Sequence, residues 1–281
     1  MDRQQRELFD PALGAITLEE FNRFRDFIYH HAGISMAPQK QLLVAGRLQK
    51  RLRHYGLASY TDYLSLIEDP QNGQERQILV DLLTTNETYF YREPAHFEYL
   101  RQHILPLQRG RPFRVWSAAC SSGEEVYTLA MIMSDVLGMG DWKVLGSDIS
   151  ERVLEQARSG IYPLERARDL PPEQLSAYCL KGVRSQAGFL LIEPRIMQRV
   201  QFEKINLMRP LPHLQPFDVV FLRNVLIYFD GPTKQKVVRR VIDAIKPGGY
   251  LFTSHVESLH GVTDALQMLK PSVFIKPSRK R

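Results

Sequence analysis

Over roughly the first 80 residues, apolar positions recur at spacings of three and four with almost no β-branched alternation, a pattern that predicts helices. Thr17 opens the clearest one. With Glu20 three residues on it makes a capping box, and Phe21, Phe24, Phe27 and Ile28 form one apolar stripe. A second helix is expected from Pro38 to Tyr55, ending before Gly56. Val44, Leu48, Leu52 and Tyr55 lie on its buried face, and Lys40, Arg47, Lys50, Arg51 and His54 gather opposite. A third helix begins at Ser59 and Tyr60 and covers Asp62 to Glu68, and a fourth covers Gln74 to Leu83. From Phe113 the pattern becomes alternating strands and helices. Strands are expected at Phe113 to Ala118, Trp142 to Ser147, Val200 to Glu203, Phe217 to Leu222 and Tyr250 to Ser254. Helices are expected at Glu124 to Leu137, Ser150 to Ser159 and Pro232 to Ile245, the last stopped by Lys246-Pro247-Gly248-Gly249. This order predicts an α/β domain with right-handed crossovers and a mostly parallel sheet. Leu266 to Leu269 and Val273 to Lys276 read as an antiparallel closing pair. Between Gly160 and Gln201, Asp169-Leu170-Pro171-Pro172-Glu173 starts a short helix. Val183-Arg184 and Phe189 to Ile192 read as a hairpin inserted in the crossover, either a tolerated loop or a surface for strand addition by a peptide.

The strand ending Val115-Trp116-Ser117-Ala118 runs into Ala119-Cys120-Ser121-Ser122-Gly123-Glu124-Glu125, and the next strand closes on Ser147-Asp148-Ile149-Ser150. A small-residue turn after an apolar strand, with an acid about 20 residues on, seats an adenosine in such sheets. A dinucleotide pyrophosphate needs three glycines there, and only Gly123 is present. The ligand expected is an adenosine without phosphates, and S-adenosylmethionine fits: Asp148 suits the ribose, and Glu124 or Glu125 suits the ammonium group. The bland alternative is an ordinary strand-turn-helix with a solvated glutamate pair.

With 281 residues the chain exceeds the usual unit of about 100 to 200, so one large domain or a medium and a small one are expected. Cys120 and Cys179 lie far apart without metal-ligand spacing, so neither a disulfide framework nor a metal site is expected. His54 and His255 read as single packing or surface histidines. The start, Met1 to Glu7, is charged and lacks an apolar signal core, and no apolar run approaches a membrane span, so a cytoplasmic protein without membrane insertion is expected. The run Ser278-Arg279-Lys280-Arg281 carries no repeat pattern, and no added repeat domain is expected. The net charge of +6 points either to an acidic partner or to a solvated surface.

Four stretches carry a resemblance: Thr85-Asn86-Glu87-Thr88-Tyr89-Phe90-Tyr91-Arg92-Glu93, Ala119 to Tyr127, Ser147 to Ser150, and Arg223-Asn224-Val225-Leu226-Ile227-Tyr228-Phe229-Asp230. In this order, over roughly residues 15 to 276, the chain resembles the CheR-type chemoreceptor glutamate methyltransferases. The resemblance implies a Rossmann-like class I methyltransferase sheet at 95–281 with a small antiparallel β insert at about 162–199. It also implies an all-helical N-terminal domain at 1–83, with a docking helix at about 38–55, and a linker at 84–94 that contributes to the cofactor site. The implied cofactor is S-adenosyl-L-methionine, released as S-adenosyl-L-homocysteine, without a metal. Asn86, Thr88, Arg92, Glu125, Asp148, Asn206, Leu207, Arg223 and Asn224 would line the cofactor, and Arg92 and Tyr228 would orient the substrate carboxylate. For Asn86 and Thr88 a turn or cap is the alternative, for Arg92 an ion pair with Glu93 or Glu98, and for Tyr228 the core.

The implied reaction forms glutamate methyl esters on methyl-accepting receptors for sensory adaptation. A glutamate of pKa about 4.3 is already ionised at neutral pH, so no general base is required. The implied partner is an acidic receptor helix bundle, docked by Arg47, Lys50, Arg51 and Arg53; no Asp or Glu occurs between His30 and Thr61. A receptor tail peptide at the β insert is a further implied partner, and the protein is expected to be a monomer that binds no nucleic acid. Two rivals are a nucleic-acid methyltransferase and a non-catalytic S-adenosylmethionine-binding adaptor. The first predicts an Asn-Pro-Pro-Tyr-like loop or a nucleophilic cysteine. Arg223-Asn224-Val225-Leu226 stands at that loop, and Cys120 lies in the cofactor turn.

Overall fold

The computed structural model describes residues 15–278; the charged start at 1–7 and the terminal residues 279–281 discussed above lie outside them. Two compact units emerge, one reaching to Thr85 and including Tyr228–Asp230, the other formed by Asn86–Ile227 and Gly231 onward. No helix among the described residues is long and apolar enough to cross a membrane.

The first unit contains α1 (Leu18–Ala32), α2 (Gln41–Tyr55), α3 (Tyr60–Glu68) and α4 (Gly73–Leu83), with one 3-10 turn at Pro38–Lys40 before α2. Thr17 and Glu20 form the capping box, and Gly33 ends α1 at φ 73°, the left-handed value at which glycine carries no Cβ penalty. Glu20 also accepts from Thr61 N and Oγ1, both at 2.9 Å, so one carboxylate ties the starts of α1 and α3. Phe21, Phe24, Ile28, Val44, Leu48, Leu52, Tyr63, Ile67 and Leu79 are all buried, and the Phe24 and Tyr63 ring centroids lie 6.2 Å apart. Tyr55 is the exception to the expected buried face of α2: it is 41% exposed. Its hydroxyl donates to Glu75 at 3.0 Å and Arg51 lies over its ring, so a polar rim contact outcompetes burial.

The second unit is a seven-stranded sheet in the order β6-β2-β1-β7-β8-β10-β9. Its strands are β1 (Phe113–Ala118), β2 (Trp142–Asp148), β6 (Val200–Lys204), β7 (Phe217–Leu222), β8 (Ile245–Phe252), β9 (Gln267–Lys270) and β10 (Val273–Ile275). The first five pair in parallel, and β10 is antiparallel to both neighbours. The crossovers use α6 (Glu124–Leu137), α7 (Glu151–Ser159) and α10 (Gly231–Asp243), and α5 (Pro94–Tyr99) precedes the sheet. Helix α6 is buried nearly all round, with Val126, Tyr127, Leu129, Ala130, Met131 and Ile132 enclosed, so its polar first turn is also drawn inside.

Two expectations shift. Lys246-Pro247-Gly248-Gly249 lies within β8, not in a loop before it. Helix α10 ends at Asp243 and the strand begins at once, with an irregular register against β7 that absorbs the Pro-Gly-Gly. The insert is a three-stranded sheet, β3 (Ile161–Pro163), β5 (Phe189–Ile192) and β4 (Cys179–Lys181), in the order β3-β5-β4. The strand expected at Val183-Arg184 is instead Cys179–Lys181, following α8 (Pro172–Tyr178). Arg184 starts a 3-10 turn at φ 53°, and a Cβ on Gly182 would lie 2.0 Å from the Gln186 carbonyl, so the chain turns too tightly there to extend. A short helix, α9 (Pro194–Met197), leads into β6, and both cysteines are free.

Candidate functional site

Strand β1 is central: β2 and β6 continue the sheet on one side, β7 and β8 on the other. The crevice at the carboxyl end of such a reversal is where open α/β sheets seat ligands. The register sets Ala118 level with Ser147 and Leu222, so the segments after β1, β2 and β7 emerge together. The turn after β1 is locally left-handed at Ala119 (φ 65°), Ser121 (φ 51°) and Gly123 (φ 92°). That conformation turns Ser121 N toward Asp148 Oδ2 at 2.9 Å, while Ser150 N donates to Oδ1 at 3.0 Å. Asp148 is buried and holds the turn through both carboxylate oxygens. Gly123 serves packing behind the turn. Its Cβ would lie 2.8 Å from Ala157 Cβ and 3.1 Å from the Tyr162 hydroxyl.

The glutamate pair divides by burial. Glu124 is enclosed, accepting from Ser122 Oγ at 2.7 Å and Arg166 Nη1 at 2.6 Å, and burial raises its pKa against both bonds. Glu125 accepts from Ser117 Oγ at 2.7 Å and Arg223 Nη1 at 3.0 Å. The Arg223 guanidinium lies 5.3 Å from the Phe97 ring centroid and donates Nη2 to the Arg92 carbonyl. Its Nε is a buried donor with no acceptor among the described residues. Asn224, at φ 58°, donates its backbone N–H to Glu257 Oε2 at 2.9 Å and its Nδ2 to Glu93 Oε1 at 3.2 Å.

Among the other expected cofactor residues, the Asn86 carbonyl accepts from Ser121 Oγ at 2.8 Å, which joins the linker to the turn, and Thr88 is half-buried. Arg92 donates to the Glu87 carbonyl at 2.6 Å and lies over the Tyr89 ring, so the ion pair with Glu93 or Glu98 does not form. Asn206 Oδ1 accepts from Met208 N at 2.9 Å in a local turn, and the buried Leu207 gives its carbonyl to Arg240. Both follow β6 beside Asp148, whose carbonyl accepts from Ile205 N at 3.0 Å. The structure therefore brings these residues into two bonded groups, Asn86 with Asp148 through Ser121, and Glu125, Arg92 and Asn224 through Arg223 and Glu93. The donor set, two carboxylates and an arginine around a glycine-poor turn, fits an S-adenosyl group. Tyr228 lies in a 3-10 turn six residues past β7 and groups with the helical unit.

Sequence reasoning missed Glu257, a buried carboxylate that accepts from Asn224 N, Ser254 N and Ile227 N and so shapes the segment after β7. The available signal was an acid five residues past an apolar strand. It also missed Glu93, His96 and His255, whose donor atoms lie within 4.8 Å of one another, so His255 is not the single histidine expected.

In the helical unit the expected docking face is partly committed. Arg51 makes a two-pronged bond to Glu75, Nε to Oε1 at 2.8 Å and Nη2 to Oε2 at 2.5 Å, and Tyr63 adds a third donor at 2.6 Å. Arg47 donates Nη1 to the Leu82 and Thr84 carbonyls at 3.0 and 3.2 Å. Lys50 and Arg53 are exposed.

Residues 86–275 match the family description "CheR methyltransferase, SAM binding domain", and residues 19–84 match "CheR methyltransferase, all-alpha domain". The chemotaxis protein methyltransferase of Salmonella typhimurium is 40% identical over 263 residues, covering 92% of this chain and 91% of that protein. The Escherichia coli protein of the same name is 42% identical over 247 residues, covering 87% and 86%. Chemotaxis protein methyltransferase 2 of Pseudomonas aeruginosa is 37% identical, covering 92% and 93%. With both family regions matched in order and relatives aligned along nearly their whole length, the chain belongs to the CheR methyltransferase family and is an S-adenosylmethionine-dependent methyltransferase of chemotaxis.

Proposed function

We propose that the enzyme esterifies glutamate side-chain carboxylates on the cytoplasmic helix bundle of chemoreceptors, acting as a cytoplasmic monomer. The observation that carries this reading is the Glu125–Arg223–Arg92 chain, in which a buried arginine fixes both an acid and the backbone of a second arginine at the carboxyl end of β1 and β7. S-adenosylmethionine, when bound, supplies an electrophilic methyl on a sulfonium. Asp148 would accept from its ribose hydroxyls and Glu125 would offset its ammonium, with Asn86, Thr88, Asn206, Leu207, Arg223 and Asn224 lining the rest. A glutamate is its own nucleophile once ionised, so the protein's work is alignment of the carboxylate oxygen with the methyl at about 3 Å and exclusion of water. Arg92 and Tyr228 are proposed to hold that carboxylate. Too strong an ion pair from Arg92 would stabilise the ground-state anion and raise the barrier.

Receptor docking is assigned to Arg47, Lys50, Arg51 and Arg53, of which Lys50 and Arg53 are the exposed pair. The edge strand β4, with Leu180 exposed, is proposed to take a receptor tail peptide by strand addition. The test is incubation with methyl-labelled S-adenosylmethionine and receptor cytoplasmic domains, followed by mild base. Label released as methanol is expected, and label that resists mild base overturns the ester reading.

A further inference from the structure

Glu93, His96 and His255 converge beside the cofactor residues, which Glu93 touches through Asn224 Nδ2 at 3.2 Å. His96 is fully buried and its Nδ1, 3.5 Å from Glu93 Oε2, has no hydrogen-bond partner among the described residues. His255 places Nε2 3.8 Å from the same oxygen, and its ring centroid is 4.5 Å from that of His96. The opposite ring nitrogens meet at one hydroxyl: His96 Nε2 is 2.6 Å and His255 Nδ1 3.2 Å from Ser272 Oγ. Ser272 Oγ donates its own hydrogen to the Pro271 carbonyl at 2.6 Å, and the tautomers matched to that bond have both rings donating to it. Both protons then sit on the Ser272 side. Two imidazole lone pairs are then turned toward Glu93 Oε2, which otherwise accepts the His255 backbone N–H at 3.2 Å and lies 3.6 Å from Arg223 Nη2.

We infer that Glu93, His96 and His255 form a binding site for a divalent d-block cation of the zinc type, oriented by Ser272. Two imidazole nitrogens and one carboxylate are a standard three-residue zinc set with the fourth position open to water. Bonds of about 2.1 Å to such an ion separate tetrahedral ligands by about 3.4 Å, close to the 3.5 and 3.8 Å from Glu93 Oε2 to the two ring nitrogens, and all three ligand atoms lie within 4.8 Å of one another. A hydroxyl holding the distal N–H of each ligating histidine is the outer-shell partner such sites use. Arg223 Nη2, 3.6 Å from Glu93 Oε2, opposes the cation electrostatically, and the half-exposed His255 gives it an entry path. The site fastens the segment after β8 to the start of α5. It is separate from methyl transfer, which needs no Lewis acid when the nucleophile is a carboxylate.

Calorimetric titration of tag-free, full-length protein with Zn²⁺ tests this. One Zn²⁺ per chain is expected, with affinity reduced by about 10-fold or more in His255→Ala and in Ser272→Ala, and unchanged in His213→Ala, an exposed histidine elsewhere. Zn²⁺ should raise the unfolding midpoint of the natural chain and not that of His255→Ala. Absence of Zn²⁺ binding, or equal binding by His255→Ala, overturns the site. Should Ser272→Ala fail to fold, His255→Ala decides alone, because its side chain is half in solvent and its removal leaves the core intact.

Discussion

At the scale of single residues, the site depends on charges that are already partnered before any ligand arrives. Asp148 accepts two backbone N–H groups, one per oxygen. Asp148→Asn keeps the shape but turns an amide N–H₂ toward one of those donors. A lost charged hydrogen bond contributes about 1.5 to 3 kcal/mol, so affinity for S-adenosylhomocysteine should fall roughly 10- to 100-fold by calorimetry. Arg223 is buried with Glu125 as its ion partner. Arg223→Met leaves that carboxylate uncompensated, and the loss should be about 3 to 5 kcal/mol in urea unfolding, followed by the fluorescence of Trp116 and Trp142. Glu125→Gln together with Arg223→Met should recover part of it, since the stranded charge is then gone.

At the scale of elements, legibility follows how local the cause is. The capping box of α1 was readable because Thr17 and Glu20 are three residues apart, and β1 and β7 were readable because largely apolar runs mark buried strands. The Arg51–Glu75 bond was not, since 24 residues separate the partners and nothing in either helix singles them out. The same holds for Arg92: its local signal allowed an ion pair, and the carbonyl it meets is set by the path of the linker. In the insert, alternation identified β5 but misplaced its partner by several residues, because short strand edges are fixed by turn geometry rather than by pattern.

Glu75 gives a prediction with a sign. Burial would raise its pKa, but bonds from Arg51, Tyr63 and Tyr55 outweigh it and hold it below the ordinary carboxylate value. A depressed folded-state pKa stabilises above the unfolded value, about 4.3, and that stabilisation disappears as pH falls through the folded value. Hydrogen exchange in α2 and α4 should therefore accelerate below about pH 4 relative to its intrinsic rate, and Glu75→Gln should already be fast at pH 7.

At the scale of the whole molecule, the net charge of +6 matters through association rather than through the fold. If docking is electrostatic, kcat/KM toward an acidic receptor fragment should fall steeply with salt. Lys50→Glu with Arg53→Glu should lower it several-fold at low salt without altering cofactor affinity. Reversal at Arg47 or Arg51 would confound that measurement, because both bonds they hold inside the helical unit would be lost with the charge. Salt-independent turnover in the natural enzyme would remove the docking role.

The backbone of Ile34 bridges Phe229, Ser35 N donates to the Tyr228 carbonyl at 2.8 Å, and Tyr29 donates to Asp230 at 2.8 Å. Three residues from far along the sequence thus complete the helical unit. Inheritance of that unit is accordingly not a matter of a single crossover at residue 85. A recombinant that takes residues up to 85 from a relative should lose helical-unit stability unless 228–230 come from the same parent. Divergence in the two stretches is therefore coupled, and specificity cannot be transplanted by exchanging the amino-terminal piece alone.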